Sequence, residues 1–88
     1  MASYRLDLRP SLQKDFRSLP RELVPRVWEK IEALTNDPLP RGAAKMEGSE
    51  GLYRIRIGDY RVIYSVDFGA HVILVQYVRH RREVYRRF

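Results

Sequence analysis

Leu52 to Val66 reads LYRIRIGDYRVIYSV. Two runs rich in Tyr, Ile, Val and Arg flank the dipeptide Gly58-Asp59. That is the pattern of a β-hairpin closed by a two-residue turn in which Gly takes a positive φ. With Ile57 and Tyr60 bracketing the turn, the antiparallel register places Arg56 opposite Arg61 and Arg54 opposite Ile63. Side chains alternate faces along a strand, so Arg54, Arg56 and Arg61 project from one face. Tyr53, Ile55, Ile57, Tyr60, Val62, Tyr64 and Val66 project from the other, an ordinary core face. The arginine face is the unusual one, because like charges directly opposite each other across a ladder are destabilising. A solvated sheet surface explains any single arginine; three converging ones point to a site that receives an anion, most simply a phosphate.

Upstream of the hairpin, Ser3 to Arg9 alternates Tyr4, Leu6 and Leu8 with Arg5, Asp7 and Arg9, the signature of a half-buried strand that Pro10 stops. Ser11 to Leu19 carries Leu12, Phe16 and Leu19 at helical spacing. After Pro20 a second helix is expected from Arg21 to Asn36, burying Leu23 or Val24, Val27, Ile31 and Leu34. Pro25 is tolerable there, since the first turn has N–H groups without helical partners. Trp28 reads as a core or helix-hairpin contact. The run NDPLPRG, Asn36 to Gly42, is turn chemistry. A linker with a short extended piece near Lys45 and Met46 leads into the hairpin.

Downstream, a turn at Phe68-Gly69-Ala70 leads to a last strand from His71 to Arg79. Pairing Asp67 with His71 puts Arg61 opposite Tyr77, so that Tyr77 and Arg79 share the arginine face while Val72, Leu74 and Val78 join the core face. Gln76 is expected at the sheet margin and His71 in the turn. The final ten residues, RHRREVYRRF, hold five arginines against one glutamate. They are expected to form a short helix, with Val84 and Phe88 touching the sheet. The fold class is therefore α+β, ordered β-α-α-β-β-β-α: a small antiparallel-rich sheet with two helices on one face and the other face largely open.

The chain's 88 residues suit one domain, 1–88. Its 17 Lys and Arg against 11 Asp and Glu give a net charge of +6, which points to nucleic acid, a ribosome or an acidic protein partner. The absence of cysteine excludes disulfides and thiolate metal sites and fits a reducing cytoplasm. No apolar run is long enough to span a membrane and the N-terminus carries no hydrophobic signal, so a cytoplasmic protein without a membrane partner is expected. There is no Gly-rich phosphate loop, no histidine pair at metal spacing and no Gly-x-Ser-x-Gly context around Ser65. No cofactor is implied. Arginine, tyrosine and one histidine in an arginine-rich setting remain to carry chemistry.

The element order, the segment LYRIRIGDYRVIYSV and the ending VRHRREVY together resemble the RelE/ParE superfamily of toxin–antitoxin toxins. The resemblance implies one of two activities. RelE-type members are ribosome-dependent endoribonucleases that cut mRNA through attack of the RNA's own 2′-hydroxyl on the adjacent phosphate, without a metal. ParE-type members share the fold but poison DNA gyrase. Matched by position, the RelE-type catalytic residues correspond here to Arg54 and Arg56, to Arg61 after the turn, to Arg79 at the end of the last strand and to Tyr85. The resemblance also implies a cognate antitoxin, docked by a helix in a groove or by an added strand.

In-line attack by a 2′-hydroxyl builds negative charge on phosphorus, and fixed guanidinium forks stabilise it. Arg61 and Arg79 are the first choices for that role. Tyr85 is a candidate proton donor to the leaving 5′-oxygen or a stacking group, with packing of the tail onto the sheet an equal alternative. Some RelE-type toxins have lysine where this chain has Arg54 and Arg56; arginine keeps its proton at any working pH and cannot act as a base. Base candidates are then His80, Tyr85, Glu47 and Glu50. Arg81, Arg82, Arg86, Arg87 and Lys45 are expected to track ribosomal or messenger RNA phosphates. A gyrase inhibitor and a non-catalytic RNA- or ribosome-binding module are the competing readings.

Overall fold

The protein's structure, a computed structural model, describes residues 3–48 and 51–83. Glu50, Val84, Tyr85, Arg86, Arg87 and Phe88, singled out above, lie outside the described residues. The chain runs β1 (Arg5–Leu8), α1 (Leu12–Arg17), a 3₁₀ turn (Arg21–Leu23), α2 (Val24–Ala33), β2 (Ala44–Lys45), β3 (Leu52–Ile57), β4 (Tyr60–Asp67) and β5 (Val72–His80). Residues 81–83 are helical. The strands form one sheet in the order β1-β5-β4-β3-β2. β1 lies parallel to β5, and every other pair is antiparallel. Among the described residues no helix is long and apolar enough to cross a membrane.

Both helices are shorter than the periodicity predicts. α1 stops at Arg17, although Leu19 beyond it is still buried, and α2 begins only at Val24, with Pro25 in its first turn as expected. Leu12, Leu19, Val27, Ile31 and Leu34 meet Ile55, Ile57, Val62, Tyr64, Ile73, Val75 and Val78 in one core on the helical side of the sheet. Trp28 is a helix-hairpin contact: its ring stacks on Phe16 at 4.8 Å between centroids. Tyr64 is fully buried, and its hydroxyl donates a 2.7 Å hydrogen bond to the Pro38 carbonyl, pinning the loop after α2 to the sheet. Burial first, then the charge of Asp37 and the neighbouring Tyr53, pushes the Tyr64 phenol up to about 12.

The β3–β4 hairpin has the expected register, with Arg56 opposite Arg61 and Arg54 opposite Ile63. Gly58 has φ +60° and Asp59 does not share the positive φ, the arrangement of a II′ turn. The β4–β5 register differs from expectation. Asp67 pairs with Val72, and the connecting turn takes in His71, whose φ is +58°. Between Ile63 and Tyr64 the register shifts: Tyr64 faces Val75, Ile63 faces Tyr77, and Gln76 is the extra residue of a β-bulge. A one-residue insertion reverses the facing of everything beyond it. Ile73, Val75 and Val78 therefore enter the core, and Val72 and Leu74 do not. Tyr77 and Arg79 keep the arginine face, but Arg61 stands opposite Arg79 and not Tyr77.

Candidate functional site

The face of the sheet away from the helices carries two adjoining cross-strand rows. One is Arg56–Arg61–Arg79, contributed by β3, β4 and β5. The next is Arg54–Ile63–Tyr77 on the same strands. Adjacent strands lie about 4.8 Å apart, so the first row sets three guanidinium stems side by side within roughly a phosphate's reach. The second row is partly apolar: buried Met46 and Ile63 pack there with Leu52 and Tyr77, so this face is less open than expected. That patch walls one side of the arginine row. The strand register thus brings Arg54, Arg56, Arg61 and Arg79 onto one surface.

The arginines are not equivalent. Arg61 is only 7% exposed, and its Nη1 donates to the Tyr60 carbonyl at 3.2 Å. Among the described residues it has no carboxylate partner. Burying a charge without an opposite one costs several kcal/mol in general, so this position favours an incoming anion. Arg56 is exposed and its Nε donates to the Gly58 carbonyl at 3.1 Å, which ties it to the turn. Arg79 is held by two carboxylates: its Nε donates to Asp15 Oδ1 at 3.2 Å, and its Nη1 lies 3.6 Å from Glu83 Oε2. Its guanidinium also sits 4.8 Å from the centroid of the Tyr77 ring.

Arg9 was not singled out by the sequence pattern, yet it joins this surface. It follows the end of β1, and its Nη1 donates to Tyr77 Oη at 2.9 Å and to Gln76 Oε1 at 3.1 Å. Its guanidinium lies 5.3 Å from the Tyr77 ring centroid, so Tyr77 bridges Arg9 and Arg79. The only sequence signal was the alternation that puts Arg9 in phase with Arg5 and Asp7.

Other candidates fall elsewhere. His80 pairs with Tyr60 and packs edge-on against its ring at 5.3 Å, on the face opposite Arg79, while its Nδ1 accepts the Arg82 backbone N–H at 3.3 Å. Arg81 is tethered to the hairpin turn: its N–H donates to the Asp59 carbonyl at 2.8 Å and its Nε lies 3.9 Å from the Asp59 carboxylate. Arg82 is exposed. Lys45 pairs with Tyr53, on the face away from the arginines, and Glu47 is exposed in the turn after β2. Among the described residues no group of three or more metal-ligating side chains converges.

Residues 6–85 match the profile of the ParE toxin of type II toxin–antitoxin system, parDE. Toxin RelE of Mycobacterium tuberculosis (strain H37Rv) is 30% identical over 84 residues, covering 94% of this chain and 87% of that protein. The archaeal RelE–RelB complex from Pyrococcus horikoshii OT3 contains a chain that superposes with a TM-score of 0.78 at 37% identity, covering 90% of this chain and 96% of that one. For the RelB–RelE antitoxin–toxin complex from Methanococcus jannaschii the TM-score is 0.76 at 26% identity, with 93% and 98% covered.

Proposed function

As the chain belongs to the RelE/ParE family of type II toxin–antitoxin toxins, we propose that it is a ribosome-dependent mRNA endonuclease. The observation that carries this reading is the row Arg56–Arg61–Arg79 with, at its centre, a buried Arg61 that has no carboxylate partner among the described residues. Such a row suits the charge that develops when a 2′-hydroxyl attacks the adjacent phosphorus. Arg61 and Arg79 clamp the non-bridging oxygens, and Arg54 and Arg56 hold the flanking backbone. Guanidinium forks bind two phosphate oxygens at once. Tyr85 protonates the leaving 5′-oxygen, while the attacking 2′-hydroxyl gives its proton to a solvent water as the 2′,3′-cyclic phosphate forms. His80, turned to the opposite face, takes no part in the proton transfers. Alignment of the 2′-hydroxyl by the ribosome supplies much of the acceleration, and the scheme calls for no metal.

A cognate antitoxin holds the toxin in check, as suits a family whose structural relatives include RelE–RelB complexes. The apolar groove of about 620 Å³ lined by Leu8, Leu12, Phe16, Val24 and Trp28, with Arg9 and Arg17 at its rim, suits an amphipathic helix with acidic flanks. The deciding experiment maps mRNA 5′ ends after expression in a translation extract. Discrete cuts within translated codons support the endonuclease. Intact mRNA with loss of gyrase supercoiling activity replaces it with the ParE-type reading, to which the match of residues 6–85 to the ParE toxin family lends support.

A further inference from the structure

β1 pairs with β5 only as far as Leu8 opposite Val75, and the Arg9 N–H closes that ladder on the Val75 carbonyl. Beyond it, among the described residues, the β5 edge has no neighbouring strand, and α1 packs there. Asp15, on α1 and only 9% exposed, fills the gap: its Oδ2 accepts the Val78 backbone N–H at 3.0 Å and its Oδ1 accepts Arg79 Nε–H at 3.2 Å. One carboxylate therefore fixes both the backbone that precedes Arg79 and the inner edge of its guanidinium. Buried carboxylates are rare unless paired, and this one is paired to the arginine at the end of the proposed clamp.

We propose that Asp15 is a positioning residue that acts through Arg79. By occupying Nε it directs the two Nη groups to the arginine face opposite Arg61 and removes the rotamer freedom a long side chain would otherwise have to lose on meeting phosphate. Glu83 holds Arg79 from the solvent side, but its own carboxylate is exposed and 3.6 Å away, so it contributes little. The inference rests on the reading of Arg79 as a phosphate-contacting group.

Asp15→Asn tests it, because an asparagine carbonyl can still cap the Val78 N–H while the negative charge that faces Arg79 is lost. On programmed ribosomes the variant is expected to bind within about twofold of the parent and to cleave roughly tenfold more slowly, the size typical of losing a residue that orients a reactive group. In an Arg79→Ala background the same change should slow cleavage no further. Parent-like cleavage by Asp15→Asn, or equal slowing in both backgrounds, overturns the proposal. A second readout does not depend on cleavage: the Arg79 Nε–H signal in nitrogen-edited NMR should exchange slowly in the parent and faster in Asp15→Asn, with the Val78 amide still protected. Unchanged Nε–H exchange also overturns it. A parent chain that fails to cleave, with the loss of protection still seen in Asp15→Asn, sinks the endonuclease and leaves the positioning contact standing.

Discussion

Arg61 and Arg79 stand directly opposite each other on β4 and β5, with Arg56 on the other flank of Arg61. Like charges in cross-strand register destabilise a sheet, and here the central one is also withdrawn from water. The surrounding packing must offset that cost: Met46, Ile63, Leu52 and Tyr77 cover the neighbouring row on the same face. Arg79 is neutralised locally by Asp15, which leaves Arg61 as the most poorly compensated charge of the row.

Arg61→Ala should therefore separate function from folding. Single-turnover cleavage is expected to fall roughly a hundredfold or more, as for loss of one preorganised donor. The thermal unfolding midpoint should hold or rise, since the change relieves crowding. Growth arrest and unfolding are measured together; full toxicity in the folded variant removes Arg61 from the site.

Deleting Gln76 tests the bulge. Without it, either Tyr77 and Arg79 turn toward the core or Ile73 and Val75 turn out of it. The midpoint should drop by at least roughly 10 °C, equivalent to a few kcal/mol in a domain this small. Gln76→Ala, which keeps the extra residue and loses only contacts to Arg9 and Ser65, should cost about 1 kcal/mol or less.

The hairpin could be read from Leu52–Val66 because a two-residue turn pins its register and strict alternation does the rest. The β4–β5 register could not, for two physical reasons. The turn there is longer and uses His71 at positive φ, a position usually given to Gly or Asn. Gln76, a polar residue inside the run VILVQYV, marked a break in alternation but not that it was an inserted residue. The displaced pairing and the bulge offset each other for Tyr77, Val78 and Arg79, which is why their faces were right while those of Val72 and Leu74 were wrong. Arg9 and Asp15 were hidden for a different reason. Their partners lie 68 and 64 residues away, and in an amphipathic segment such as QKDF an aspartate looks like any solvated charge.

Arg9→Ala should weaken RNA or ribosome binding without altering the rate of the bound complex. Arg9 lies across Tyr77 from Arg79, outside the central row, where it would meet a flanking phosphate. The slope of log affinity against log salt should fall by about one. Arg9→Lys should restore the slope but not the contact to Gln76 and Tyr77, because an ammonium lacks the planar fork. A change in bound-state cleavage rate would move Arg9 into the chemistry.

Tyr64 should make the fold sensitive to alkali. Its folded pKa is raised from 10.0 to about 12, so the folded state favours the protonated phenol. The associated stability is fully present below pH 10, where the unfolded phenol is also protonated, and is lost as pH rises to about 12. The loss is on the order of 2 kcal/mol. Urea midpoints measured across that range should fall more steeply for the parent than for Tyr64→Phe. The phenylalanine variant should start lower by about 1 kcal/mol for want of the hydrogen bond to Pro38.

The tail decides between a catalytic and a merely basic role for the arginine-rich end. Arg79 lies on the arginine face within a network of Asp15, Tyr77 and Glu83, whereas Arg81 is tied to the hairpin turn through Asp59 and Arg82 is exposed. Neutralising Arg81, Arg82, Arg86 or Arg87 should weaken ribosome binding modestly and lower its salt slope by about one, leaving the cleavage rate of bound complexes unchanged. Arg79→Ala or Tyr85→Phe should do the reverse. Binding stays near normal, while single-turnover cleavage slows roughly a hundredfold for a lost transition-state or proton donor. Binding and cleavage are measured on the same programmed ribosomes for both groups. If both groups lose binding in parallel and neither changes the bound-state rate, the tail is an electrostatic anchor only. Arg79 would then be held by Asp15 for the sake of the sheet edge rather than for chemistry.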